Sequence, residues 1–365
     1  MKKRLTRKRW RGLGRTFVLV LAAWPYVLQC QWRLQESGTK ERLRAVCAVS
    51  DKIVWASGNR GTCVVTTDGG EHWRAANVPG SDTLDFRDVY AVDDRTAYLL
   101  SIGPGESSRI YKTVDGGETW RLQFVNHTPG AFFDAFAFWD ADHGIAVSDE
   151  VDGKLVLIRT KDGGRHWEHV PPKALPPALR GEGTFAASGT PVAVFGAKHV
   201  WIGTGAGPAP RVYRSTDSGN SWNVVNAPVR GGSPTSGIFS IAFCDKLHGI
   251  IVAGDYARLS EAAQNVATTE DGGISWVPGA APRPRGFRSC VVYLPGTTAP
   301  TAVAVGPTGS DYSLDGGRTW SRLDTLGFHA ASFAGPVSAG WAVGEGGRIA
   351  RFIGPVPGAP HGERK

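Results

Sequence analysis

Apolar and polar positions alternate along most of this chain in short runs that are cut by Gly, Asp and Pro, the signature of half-buried β-strands rather than helices. One unit reads clearly between residues 86 and 125. Phe86 to Val92 predicts an inner strand, and Thr96 to Ile102 predicts a second strand behind a turn at Asp93-Asp94. Arg109 to Thr113 follows a loop at Gly103 to Ser108, and Trp120 to Val125 completes the unit. Four short strands rich in β-branched and aromatic residues make one propeller blade.

The corner between third and fourth strands recurs six times as Ser/Thr-x-Asp-x-Gly-x-x-Trp, starting at Thr66, Thr113, Thr160, Ser215, Thr269 and Ser313. A period of roughly 45 to 55 residues belongs to propellers and solenoids. The acids are Asp68, Asp115, Asp162, Asp217, Asp271 and Asp315, and the rings are Trp73, Trp120, Trp167, Trp222, Trp276 and Trp320. A carboxylate here can accept amide hydrogen bonds within its own turn, while the glycines supply positive φ and the Trp packs against a neighbouring sheet. These residues are therefore assigned a structural role, not a catalytic one.

After the sixth corner, Phe328 to Phe333, Gly340 to Gly344 and Arg348 to Ile353 repeat three strands without a fourth. The missing strand lies at the other end, where Gln31-Trp32-Arg33-Leu34-Gln35 matches Thr119-Trp120-Arg121-Leu122-Gln123. The expected fold is an all-β, seven-bladed propeller closed by an N-terminal outer strand, leaving no open sheet edge. Pro171 to Gly183 and Ala227 to Gly237, rich in Pro and Gly, are expected to be long loops. The domain reading is a leader over residues 1–30, a propeller over 31–354 and a disordered tail over 355–365.

Charge changes this picture only at the N-terminus. Eight of the 41 basic residues and none of the 33 acidic ones precede residue 31, so the folded body is neutral and nucleic acid is not expected as a partner. A basic start followed by the apolar run Phe17 to Leu28 has the layout of an export signal, too short for an ordinary membrane span. The expectation is an exported protein, periplasmic or extracellular, touching a membrane only through an uncleaved leader. Five cysteines give no disulfide framework. Cys47 and Cys63 fall two strands apart, about 9.5 Å, beyond a disulfide's reach, and Cys244 and Cys290 fall out of register.

Loops joining second to third strands share one face with the interblade loops. They carry Arg60, Arg109, Lys154, Arg211, Arg258 and Arg348, and the interblade loops add Arg180, Arg230, Arg283 and Arg285. This face either binds an acidic partner or is a solvated rim in which Glu106, Asp152 and Glu182 are interleaved. A second set, Arg44, Arg87, Asp134, Ser240, Arg288 and His329, occupies equivalent inner-strand starts and is expected to face the mouth of a water-lined channel. Its arginines could grip a carboxylate or an acidic chain terminus; internal salt bridges are the alternative.

No metal or cofactor site is expected. His166 and His169 would point to opposite faces of a strand, and Gly203 to Gly207 opens no helix. His143 and His248 precede Gly at the same hairpin turn in two blades.

Together, Trp55-Ala56-Ser57-Gly58 and Thr66-Thr67-Asp68-Gly69-Gly70-Glu71-His72-Trp73 resemble the Asp-box (bacterial neuraminidase) repeat. Over nearly all of residues 31 to 353 the pattern resembles the photosystem II stability/assembly factor family and its bacterial relatives. The resemblance implies an exported, non-enzymatic propeller that binds protein through an arginine-bearing face. The expected partner is a protein or acidic peptide segment, and the expected state a monomer. Sialidases share the corner and use an arginine triad, for which Arg44, Arg87 and Arg288 would be the candidates. They also need an Arg-Ile-Pro segment, which is absent here. Xyloglucanase-like hydrolases place two acids between two propellers, and this chain has length for one. A carbohydrate-binding propeller completes the alternatives.

Overall fold

The computed structural model describes residues 31–297, 299–335 and 339–354. The expected leader with Cys30, and the expected tail over 355–365, lie outside the described residues. Seven antiparallel sheets of four strands each form the blades of a propeller. The inner strands, in blade order, are Leu43–Ala48, Asp85–Ala91, Phe133–Phe138, Val192–Phe195, Ser236–Phe243, Cys290–Tyr293 and Ala330–Phe333. Each touches the next, and the first touches the last, so the ring is closed.

Closure depends on the strand Trp32–Gln35, which pairs antiparallel with Ile349–Phe352 in the seventh blade, Trp32 opposite Phe352. Apolar burial fixes this register. The fully buried Trp32 ring lies 5.3 Å from both Phe328 and Phe352, and its Nε1 donates to Ser310 Oγ in the sixth blade. A first-to-last strand pairing of this kind unites the chain ends and leaves the seventh blade no shorter than its neighbours.

All six corners share one hydrogen-bond frame, in which the side chain four residues after the Asp meets it through a hydroxyl in four corners and through a His ring nitrogen, His72 and His166, in the first and third. In the second blade, Thr113 Oγ1 donates to Asp115 Oδ1 (2.8 Å) and accepts the Gly117 N–H, while Asp115 accepts the N–H and the hydroxyl of Thr119. The Thr119 hydroxyl, then its amide, holds the Asp115 carboxyl down to about 2, so it remains an anion that accepts from its own turn. Gly117 has φ +83°, and a Cβ there would lie 2.6 Å from Ala76 Cβ; only glycine fits. Trp120 then donates from Nε1 to Ala76 O and meets Trp55 edge to face, coupling the second blade to the first.

Cys47, Cys63, Cys244 and Cys290 are free thiols. Burial pushes the Cys47 thiol up to about 11, which leaves it inert rather than nucleophilic. No helix among the described residues is long and apolar enough to cross a membrane.

Candidate binding site at the channel mouth

Four inner strands carry a β-bulge at the same point. The register steps from Leu43 to Ala45, from Phe86 to Asp88, from Phe133 to Ala135 and from Ile238 to Ser240. The extra residues are thus Arg44, Arg87, Asp134 and Phe239, and a bulge re-aims the side chain it inserts. All four line a single cavity of about 810 Å³ on the loop face, with Ser289 and His329 at the matching places in the sixth and seventh blades.

Two expected positions therefore shift by one residue. In the fifth blade the residue at the mouth is Phe239, not Ser240. In the sixth it is Ser289, while Arg288 turns away from the channel, because a slip of one residue changes the face a side chain occupies. Arg288 is buried and points its Nε (2.8 Å) and Nη2 (2.6 Å) at Asp311 Oδ2. Its Nη1 donates to Phe287 O and Thr308 Oγ1. Arg211 is likewise buried, paired through Nε with Glu182 Oε1 and through Nη2 with Glu182 Oε2, Tyr213 Oη and Pro177 O. Both guanidiniums are thus turned to internal acceptors rather than to the channel mouth. Arg60 and Arg258 do face solvent, Arg60 3.5 Å from Glu41 and Arg258 near Asp255 and Glu261, while Arg109 and Arg348 are half-buried and donate to Glu106 O and Gly327 O.

The channel is not simply water-lined. The segment Glu182 to Thr190, between the third and fourth blades, crosses it as a clasp. Thr184 donates its hydroxyl to Asp134 Oδ2 (2.7 Å) and its amide to Asp149 Oδ1 (2.9 Å). The Ala186 and Ala187 carbonyls accept from Arg44 Nη2, and Ala186 O also accepts from Arg87 Nη1 at 2.8 Å. Ser188 reaches Ser289 O, and Thr190 meets the Ser240 hydroxyl. Gly189 (φ +75°) passes so close that a Cβ would sit 2.3 Å from Asp88 Oδ1. Small residues and a backbone rich in carbonyls let this segment fit among converging donors.

Around the clasp the mouth divides by chemistry. Arg42, Arg44 and Arg87 form a cationic arc over the first and second blades, with His329 of the seventh beside it, opposed by Asp85, which accepts from Arg87 Nε at 2.7 Å and lies 3.8 Å from Arg42. Burial, then the like charges of Arg87 and Arg42, push Arg44 down to about 9. His329 is pushed down to about 4 by burial and by Arg44, although its Nε2 contacts Glu345 at 2.8 Å; it is neutral at pH 7. In the third blade, burial and then the neighbouring Asp149 charge hold Asp134 well above the usual carboxyl range. Phe239, Phe185, Tyr256 and Phe287 close the circle as an aromatic arc.

Arg42, Asp85, Asp149, Phe239 and the clasp escaped sequence reasoning. The run Phe185-Ala186-Ala187-Ser188-Gly189, less polar than an exposed loop, was the available signal. Among the described residues no cluster of His, Cys, Asp and Glu is arranged to hold a metal.

No family model and no curated protein matches the sequence. Solved structures do share its fold. "YCF48 bound to D1 peptide" superimposes with a TM-score of 0.64 at 14% identity, covering 89% of this chain and 97% of that one. YCF48 from Cyanidioschyzon merolae gives 0.64 at 16% identity, covering 88% and 99%. The GH74 xyloglucanase from Xanthomonas campestris gives 0.60 at 17% identity, covering 88% of this chain and 53% of that one. At such identities the likeness is one of propeller architecture, which hosts many functions.

Proposed function

We propose that this chain is an exported, non-catalytic propeller scaffold that docks an acidic segment of a protein partner at the channel mouth. The observation that carries the reading is the charge imbalance there. Arg42, Arg44 and Arg87 cluster on the first and second blades, with Asp85 as the ion-pair partner of Arg42 and Arg87 and Glu345 nearby. The cavity's other acids, Asp134, Asp149, Glu150 and Glu182, lie at the third blade and the clasp. The Nε atoms of Arg42 and Arg44 are buried without a hydrogen-bond partner among the described residues. Like-charged guanidiniums held together in a half-buried site favour an anion that can share their donors. A propeller of similar fold is known with a D1 peptide bound, which supports a peptide as the ligand class. Arg60 and Arg258, exposed at the rim, and the half-buried Arg109 would steer the approach rather than anchor it.

A labelled Asp/Glu-rich peptide and its Asn/Gln counterpart provide the test. The acidic peptide should bind better, and Arg87→Ala should weaken it about tenfold, the scale of one lost charged anchor. Affinity should fall as salt reduces the Debye length from about 10 Å to about 3 Å. Equal binding of both peptides would refute the reading. Glycoside hydrolysis that disappears in Asp134→Asn would replace it with catalysis. The export half rests on the basic and apolar order of residues 1 to 28; recovery of the full-length chain in the cytoplasmic soluble fraction would overturn it.

A further inference from the structure

The cationic arc abuts an apolar surface that the acidic-segment reading does not use. Phe185 of the clasp stacks flat on Phe239, with centroids 4.1 Å apart and planes 9° apart. Phe287 meets Phe239 edge to face at 4.6 Å from behind. Tyr256 stands edge-on to both Phe185 and Phe239 at 6.2 Å, yet half of it (50%) is exposed, and Leu259 beside it is 37% exposed. All line the cavity that contains Arg44 and Arg87. The buried pair Phe239 and Phe287 fixes the shelf, while Phe185, Tyr256 and Leu259 give it an open apolar edge. A fixed aromatic floor with a solvent-facing lip is suited to taking one large side chain, which gains by leaving water.

We infer that this shelf is an anchor subsite for an aromatic or large aliphatic side chain of the same partner segment whose acids meet Arg42, Arg44 and Arg87. The inference rests on the acidic-segment reading and specifies it: charge complementarity sets the acids on the first and second blades and places the apolar residue over the fifth and sixth. Acids alone would find the arginines but leave the shelf wet. A segment with both features would dehydrate the shelf and the guanidinium edges together, where each contact is stronger. A charged rim of exposed Arg258 and half-buried Glu261 borders the shelf and favours a single inserted side chain over a broad apolar partner face.

A randomised peptide display library panned on the full chain tests this. Enriched peptides should combine acids with a neighbouring Trp, Phe, Tyr or Leu. Tyr256→Ala and Leu259→Ser, both at half-exposed positions, should each weaken those peptides about tenfold, the size of one truncated anchor. The same variants should leave the binding of a purely Asp/Glu peptide unchanged, which also reports that they are folded. Enrichment of acids with no apolar preference overturns the shelf and spares the acidic-segment reading. Enrichment without acids overturns both.

Discussion

Replacing Arg288 with Ala should unfold the protein far more readily than its surface-like sequence context suggests. The guanidinium contributes two charge-assisted contacts to Asp311 Oδ2, at 2.8 and 2.6 Å, and two more hydrogen bonds to Phe287 O and Thr308 Oγ1. Side-chain exposure is 3% for Arg288 and 1% for Asp311, so water cannot take over when the partner is removed. Breaking one side of such a buried pair costs about 3–5 kcal/mol because it strands the other charge. Arg60→Ala removes an arginine that is 68% exposed and only loosely paired with Glu41, and should cost about 0–1 kcal/mol. Urea unfolding followed by tryptophan fluorescence measures both. Replacing the pair together, Arg288→Met with Asp311→Leu, should recover most of the loss, since no orphan charge remains. An Arg288→Ala cost under about 1 kcal/mol, or a double variant no better than the single, would refute the assignment of Arg288 to the core.

Three further outcomes follow from the same geometry. Asp217→Ala removes the acceptor of the Asn220 and Ser221 amides and should cost about 1–2 kcal/mol in thermal or chemical unfolding without altering peptide binding by the folded fraction. Trp32→Ala vacates a fully buried site among Phe328, Phe333 and Phe352 and should cost about 3–5 kcal/mol, read as a lower unfolding midpoint. Asp134 has its carboxyl pKa raised on folding, so its contribution is complete below the ordinary carboxyl range and declines as pH rises through the folded value. Asp134→Asn, which cannot ionise, should therefore gain stability relative to the parent as pH is raised from 4 to 8; a parallel pH profile for the two proteins would contradict the protonated carboxyl.

The sequence by itself determined the ring. Six Ser/Thr-x-Asp-x-Gly-x-x-Trp corners make local hydrogen bonds that depend only on residues within one turn, so each blade announces itself. The likeness of Gln31–Gln35 to Thr119–Gln123 likewise placed the closing strand, because an outer strand of any blade meets the same half-buried environment. The mouth of the channel was legible at Arg44, Arg87, Asp134 and His329. It was misread by one residue at Phe239 and Ser289. Counting along a strand cannot see a bulge, and the inner strands of the first, second, third and fifth blades insert one residue where the paired residues of the sixth show no register shift. Cross-strand packing decides which residue is the extra one, and that choice sends Phe239 into the cavity and buries Arg288 against Asp311. The clasp is a tertiary decision of the same kind. Nothing local to Thr184–Thr190 specifies a channel; its carbonyls find donors only because Arg44 and Arg87, about 100 to 140 residues earlier, have been brought to one point by closure of the ring.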